Sequence, residues 1–203
     1  MSVLARPTAG RVPVGLRSDR GHLLPMKVQR WFEEPTAEEH RVLSHALAPV
    51  LDVGCGPARH TLALLARGVA ALGVDVSPGA VRVASRRGAP VLLRSVFDGL
   101  PGEGSWGSAL LLDGNVGIGG SPVALLERLR SVLRSGGRVL IEVEPPGART
   151  ESFRARIEGS GAGSWFPWAI VGCDGLGAVA TQAGFRLTDL WAAGGRWFGC
   201  LDA

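Results

Sequence analysis

The residues best suited to chemistry stand in Leu51–His60, LDVGCGPARH, and in the VDVS that follows at 74–77. A short apolar strand runs into a glycine-rich turn, a helix follows, and a second strand ends in an acid. Gly54 and Gly56 let the backbone approach a ligand without Cβ interference. A carboxylate at Asp75 can accept hydrogen bonds from both hydroxyls of a ribose. The arrangement holds a nucleoside-bearing ligand over the carboxyl ends of parallel strands. Asp52, just before the glycines, would suit a ligand amine or an ordered water. A dinucleotide site calls for a third glycine, and Arg59 stands there. Asp75 is common to NAD-binding and other nucleoside-binding sheets, so it does not discriminate between them.

The elements that must position these residues alternate regularly. Met26–Phe32 reads as a short amphipathic helix. Thr36, with Glu39 at the capping-box position, opens a helix over Ala37–Leu47. Strands are expected at Val50–Val53, Ala70–Val74, from Pro90 to Leu93, at Ala109–Leu112 and at Arg138–Val143. Helices are expected over Ala58–Arg67, from the Ser77 cap to near Gly88, and from Ser121-Pro122 to Leu133. A further helix covers Asp174–Ala183, and Gly194-Gly195 joins Phe185–Trp191 to Arg196–Leu201 as a hairpin. Residues 1 to about 20 show no periodicity, and residues 147–174 read as irregular. Strand–helix alternation of this kind makes an α/β sheet.

LDVGCGPARH with the later motifs resembles the class I S-adenosylmethionine-dependent methyltransferases. The resemblance spans roughly Pro49–Ala203. It implies a Rossmann-like seven-stranded mixed sheet in the order 3-2-1-4-5-7-6, with strand 7 antiparallel and helices on both faces. It implies S-adenosyl-L-methionine as cofactor and S-adenosyl-L-homocysteine as product. Asp52, Gly54 and Gly56 would then line the methionine portion, Asp75 would hold the ribose, and Val76 would lie beside the adenine. Leu100-Pro101, Gly136-Gly137 and the AGF at 183–185 match family steps in order and spacing. Many members place an acid after the third strand to meet the adenine amino group. This chain has Arg94-Ser95-Val96-Phe97 there, so Ser95 or a backbone group takes that contact, with Val96 and Phe97 alongside. Asp113-Gly114-Asn115, at the end of the fourth strand, would face the transferred methyl group.

Methyl transfer is an in-line displacement that needs proximity and alignment above all, and in principle no metal. An oxygen nucleophile needs deprotonation, where a base helps. His22, His40 and His60 are candidates by residue type alone; Asp113 and Asn115 are better placed by topology and are the catalytic candidates. DGNVGIGG lacks the proline and aromatic of the family's aromatic-nitrogen-methylating signature, which disfavours adenine or glutamine side-chain acceptors. The acceptor is expected to be an O or N nucleophile of a small molecule. Residues 1–35 form an arm and lid, and 36–203 the catalytic domain. Lys27, Trp31, Trp165 and Trp168 would complete the pocket. Three alternatives stay open: a non-catalytic cofactor-binding module working with a partner, an NAD-dependent oxidoreductase, and an RNA or protein methyltransferase.

Composition narrows the setting. The chain has 203 residues, 46% hydrophobic, with a formal charge of +4, enough for one domain with a real core. Arginines 6, 11, 17 and 20 make the N-terminal stretch basic, yet no aromatics interleave with them to stack bases, so nucleic acid is disfavoured as a partner. Cys55, Cys173 and Cys200 fit neither a disulfide framework nor a zinc site, and no metal is expected. No apolar run suits a membrane span or a secretory signal. A reducing, cytoplasmic setting follows as the expectation, and the oligomeric state is left open.

Overall fold

In a computed structural model, residues 15–158 and 163–203 are described. Arg6 and Arg11 of the expected basic arm lie outside them. The first strands are β1 (Gly15–Ser18) and β2 (Leu23–Pro25), followed by a 3-10 turn at Val28–Phe32. The capping box forms as the sequence demands: Thr36 accepts from the Glu39 amide while the Glu39 side chain accepts from the Thr36 amide. It opens α1 (Ala37–Ser44). Next come β3 (Val50–Val53), α2 (Arg59–Ala66), β4 (Ala71–Asp75), α3 (Pro78–Arg86) and β5 (Val91–Leu93). They are followed by β6 (Trp106–Leu111), a 3-10 segment at Asn115–Gly120, α4 (Pro122–Val132) and β7 (Leu133–Val143). The chain closes with β8 (Glu151–Glu158), β9 (Phe166–Ile170), α5 (Cys173–Gln182), β10 (Arg186–Ala193) and β11 (Arg196–Asp202).

Seven strands form one sheet in the order β10-β11-β7-β6-β3-β4-β5. Strands β5, β4, β3, β6 and β7 are mutually parallel, and β11 runs antiparallel to both β7 and β10. Read from β5, this is the order 3-2-1-4-5-7-6 with the seventh strand reversed, as expected. β3 and β6 are buried along their whole length, which is why they are mostly apolar without alternation, Asp52 and Ser108 excepted. One face packs Leu51, Val53, Leu111 and Ile141 against Leu125 and Leu129 of α4 and Leu176 of α5. The other packs Val50, Leu110, Leu140 and Phe198 against Val42 of α1 and Leu64 of α2.

The departure from expectation is a second sheet, four antiparallel strands in the order β2-β1-β8-β9. It joins segments read as aperiodic (residues 15–20) and irregular (147–174). Gly15 pairs with Glu158 and Ser18 with Ala155, so β1 gets its ladder from the far end of the chain. No local pattern announces such a strand. β8 does alternate: Phe153, Ala155 and Ile157 share one face, and Ser152, Arg154 and Arg156 the other. The Met26–Phe32 segment also differs, forming a 3-10 turn over Val28–Phe32 with Val28 and Trp31 packed on Ala80 of α3. Helix α2 begins one residue later than expected because Ala58 takes a left-handed φ of 66°.

Candidate active site

The glycine turn leaves β3 at its carboxyl end. Gly54 and Gly56 have φ of +67° and +56°, in the region glycine enters without a Cβ penalty. A Cβ on Gly56 would meet nothing within 4 Å, whereas one on Gly54 would lie 2.8 Å from Asn115 Nδ2. The two glycines therefore do different work. Gly56 faces open space, and Gly54 makes room for an amide. Asn115 Nδ2 donates to the carbonyls of Val53 (2.8 Å) and Gly54 (3.0 Å), tying the end of β6 to the turn.

Asp75 ends β4 beside this turn. One carboxylate oxygen accepts from the Gly56 amide at 2.9 Å and the other from the Ser77 amide at 2.7 Å. Each oxygen keeps a lone pair for a further donor. Burial raises its pKa, against the opposing bonds from Ser77 and Gly56. Beyond it, Val76 is 70% and Phe97 44% exposed. These are apolar surfaces at the mouth of the cleft, and the Phe97 ring also packs against Gly119. Val96 is buried, so only its backbone can face a ligand, and its carbonyl accepts from Arg128. Ser95 Oγ accepts from the Phe97 amide, and the Ser95 amide donates to Asp98. Asp52 is 2% exposed and its carboxylate accepts from the hydroxyl and amide of Thr61, at 2.7 and 3.2 Å. Its pKa is raised by burial. Asp52 thus stands behind the turn, fixed to α2.

Asp113, with φ of 55°, belongs to an ion lattice that the sequence did not announce. Arg59 bonds both oxygens of Glu39, at 2.6 and 2.5 Å, and both of Asp113, at 2.9 and 2.7 Å. Arg196 of β11 reaches Glu39 (2.7 Å), Asp113 (3.1 Å) and both oxygens of Glu142. Arg30 adds a bond to Glu39, and Glu142 accepts from the Asp113 amide. Burial alone would raise the Glu39 pKa; His60, Arg59, the Thr36 amide and Arg196 together hold it far below the usual carboxylate range. Two signals were in the sequence: a charged residue where a third glycine is common, and one acid, Glu142, in β7, a central strand. His60 Nε2 lies 3.5 Å from Glu39 Oε1. Glu39, His60 and Asp113 could geometrically meet one cation, but guanidinium groups already occupy both acids, so the cluster is an ion-pair network.

Of the remaining candidates, Trp168 is drawn to the site: a Cβ on Gly117 would lie 2.6 Å from its indole. Trp31 packs on α3, and Trp165 is 38% exposed with Arg156 over its ring at 4.9 Å. Lys27 is exposed, as are His22 and His40. Burial pushes the Cys55 thiol up, away from nucleophilic use.

Residues 50–137 match the methyltransferase domain family. A crystal structure of an S-adenosylmethionine-dependent methyltransferase from Bacteroides fragilis, in complex with S-adenosyl-L-homocysteine, is similar at 22% identity. It has a TM-score of 0.74, covering 94% of this chain and 87% of that one. The 1,6-didemethyltoxoflavin-N1-methyltransferase of Burkholderia thailandensis has a TM-score of 0.63 at 20% identity, over 85% of this chain and 80% of that one. The glycopeptide N-methyltransferase MtfA, complexed with S-adenosylmethionine, has 0.64 at 12% identity, over 85% and 95%. No curated protein matches the chain in sequence. The residues fit the cofactor: an open glycine cradle, an acid beside it with free lone pairs, and exposed apolar surface where an adenine would lie. With Arg59 buried in ion pairs, the third glycine of a dinucleotide site is missing in structure as well as sequence. Residues 50–137 thus match a methyltransferase domain, and the sheet around them has the fold of the S-adenosylmethionine-dependent methyltransferases it resembles.

Proposed function

We propose that this domain methylates an oxygen or nitrogen of a compact small molecule. The observation that carries the reading is the second sheet. β9 packs along Asn115–Gly120, with Trp168 against Gly117 and Pro167 against Gly120. One face of the sheet presents Leu16, Leu24, Phe153, Ile157, Trp168 and Ile170, and a small cavity of about 40 Å³ is bounded by Leu24, Phe153 and Ile170 together with Ser18, Arg20, His22 and Glu151. An aromatic wall at Trp168, against the segment that follows β6, would exclude water and favour a compact acceptor. The relatives acting on 1,6-didemethyltoxoflavin and on a glycopeptide lend support.

The bound cofactor supplies an electrophilic methyl group. This chain's residues then hold and align. Gly54, Gly56 and Asp75 hold the cofactor, with Val76, Ser95, the Val96 backbone and Phe97 around its adenine. Asp52 fixes α2 behind the turn. Asp113 and Asn115 act by position: Arg59 and Arg196 occupy the Asp113 carboxylate, and the Asn115 amide locks the turn. Residues 15–32 serve as a lid, with Trp168 the wall nearest the reacting end. Trp168→Ala tests this. The acceptor KM should rise while S-adenosylhomocysteine affinity, by calorimetry, stays unchanged. Equal loss of both would mean Trp168 serves only the fold.

A further inference from the structure

The connection from β5 to β6, residues 94–105, contains neither helix nor strand, yet it carries Phe97. It starts at the cleft: the Arg94 amide donates to the Asp75 carbonyl at 3.0 Å. Residues 95–98 then close on themselves. The Ser95 hydroxyl accepts from the Phe97 amide at 3.2 Å, and the Ser95 carbonyl from the Asp98 amide at 3.1 Å. The Asp98 carboxylate accepts from the Ser95 amide at 3.3 Å. Phe97 leaves this turn 44% exposed. One edge of its ring meets Gly119, where a Cβ would stand 2.7 Å away. The same 115–120 segment sets Asn115 and Ile118 against Gly54. Contacts on both sides, to Asp75 through Arg94 and toward Gly54 through Gly119, therefore hold Phe97 beside the cofactor cleft.

One side chain of α4 ties this connection down. Leu125, Leu129 and Val132 of that helix are buried in the core, and Arg128 stands on its flank. Its Nε donates to the Val96 carbonyl at 2.9 Å, and its Nη2 to the Asp98 carbonyl at 2.7 Å and to the Glu103 carboxylate. Nη1 donates to the Ser131 hydroxyl at 3.0 Å, and Glu103 accepts from the Leu100 amide at 2.8 Å. The carbonyls of the residues on either side of Phe97 are thus held by one planar guanidinium, a fork that a point charge does not reproduce. A surface arginine–glutamate pair contributes little by itself; the two carbonyls give this one a purpose. We propose that Arg128 is a positioning residue for the cofactor, setting the Phe97 ring for the adenine without touching the ligand. The inference rests on the reading above in which Phe97 lines the adenine. A ring that must be ordered when the base arrives spends part of the binding free energy on that ordering. Arg128 orders the backbone of residues 96–98 beforehand, and Gly119 seats the ring edge.

The test uses the full chain with Phe97→Ala, Arg128→Met and the two combined. Each is titrated with S-adenosylhomocysteine by calorimetry and melted without ligand. Phe97→Ala should weaken binding about 10-fold, as loss of a base-stacking ring does. Arg128→Met should weaken it about 10-fold where Phe97 is present and about twofold or less where alanine already stands there, the non-additivity of groups that act as one. Arg128→Lys keeps a charge beside Glu103 and loses the fork. It should melt near the wild type and still bind weakly, and in the same cycle with Phe97→Ala it carries the test if Arg128→Met does not fold. Wild-type affinity in the Arg128 variants, or an equal loss with and without Phe97, means that Arg128 only fastens the fold and overturns the proposal. Unchanged affinity in Phe97→Ala defeats the adenine reading of this wall, and the role of Arg128 with it.

Discussion

At the scale of single residues the site separates groups that face the ligand from groups that aim them. Asp75 faces it, and its charge depends on pH. Because burial raises its pKa, affinity for S-adenosylhomocysteine should decline as pH falls through that raised value. Asp75→Ala should weaken binding by about 1–3 kcal/mol through unpaired hydroxyl donors, and calorimetry should find the pH dependence flattened. Unaltered affinity would remove Asp75 from the site. Gly54 aims. Alanine there would place a Cβ 2.8 Å from Asn115 Nδ2 at a φ of +67°. Gly54→Ala should therefore lower the melting temperature and product affinity together, while Gly56→Ala, with only the left-handed φ of +56° against it and open space before it, should lower the melting temperature less. These residues were legible in sequence because turn chemistry is local. The commitments of Asp113 to two arginines and of Asn115 to two carbonyls were not, since their partners lie on distant segments.

At the scale of elements the ion lattice joins the 3-10 turn, α1, α2, the end of β6, β7 and β11 through Arg30, Glu39, Arg59, Asp113, Glu142 and Arg196. Removing one buried cation leaves carboxylates uncompensated, so Arg59→Met should destabilise the fold by about 3–5 kcal/mol in urea unfolding. The pH sign follows from Glu39. Its folded pKa lies below the ordinary 4.5, so its contribution is fully present above that value and lost as pH falls through the depressed one. Arg59→Met should shift the acid loss of stability to higher pH; an unshifted acid limb would mean Glu39 is held by its other donors alone. The capping box placed Glu39 at the start of α1 from sequence alone. That its carboxylate also closes a network with β11 rests on contacts 157 positions apart, which no local pattern carries.

At the scale of the molecule, the large sheet was readable because its strands are short apolar runs separated by helices, glycine turns and cap-then-proline signals. The small sheet was not, because β1 is four residues long and its partner β8 lies at the other end of the catalytic core. Deleting residues 1–25 should expose the β8 edge and its apolar face, producing association visible by light scattering; a monodisperse deletion product would show that β8 and β9 stand without β1. Deleting residues 1–14 alone leaves β1 intact and should preserve product binding. The most direct test of the central claim is transfer of a labelled methyl group from S-adenosylmethionine over small metabolites, protein extract and RNA together. The account predicts label in an oxygen or nitrogen of a small molecule. Label confined to protein or RNA would contradict it.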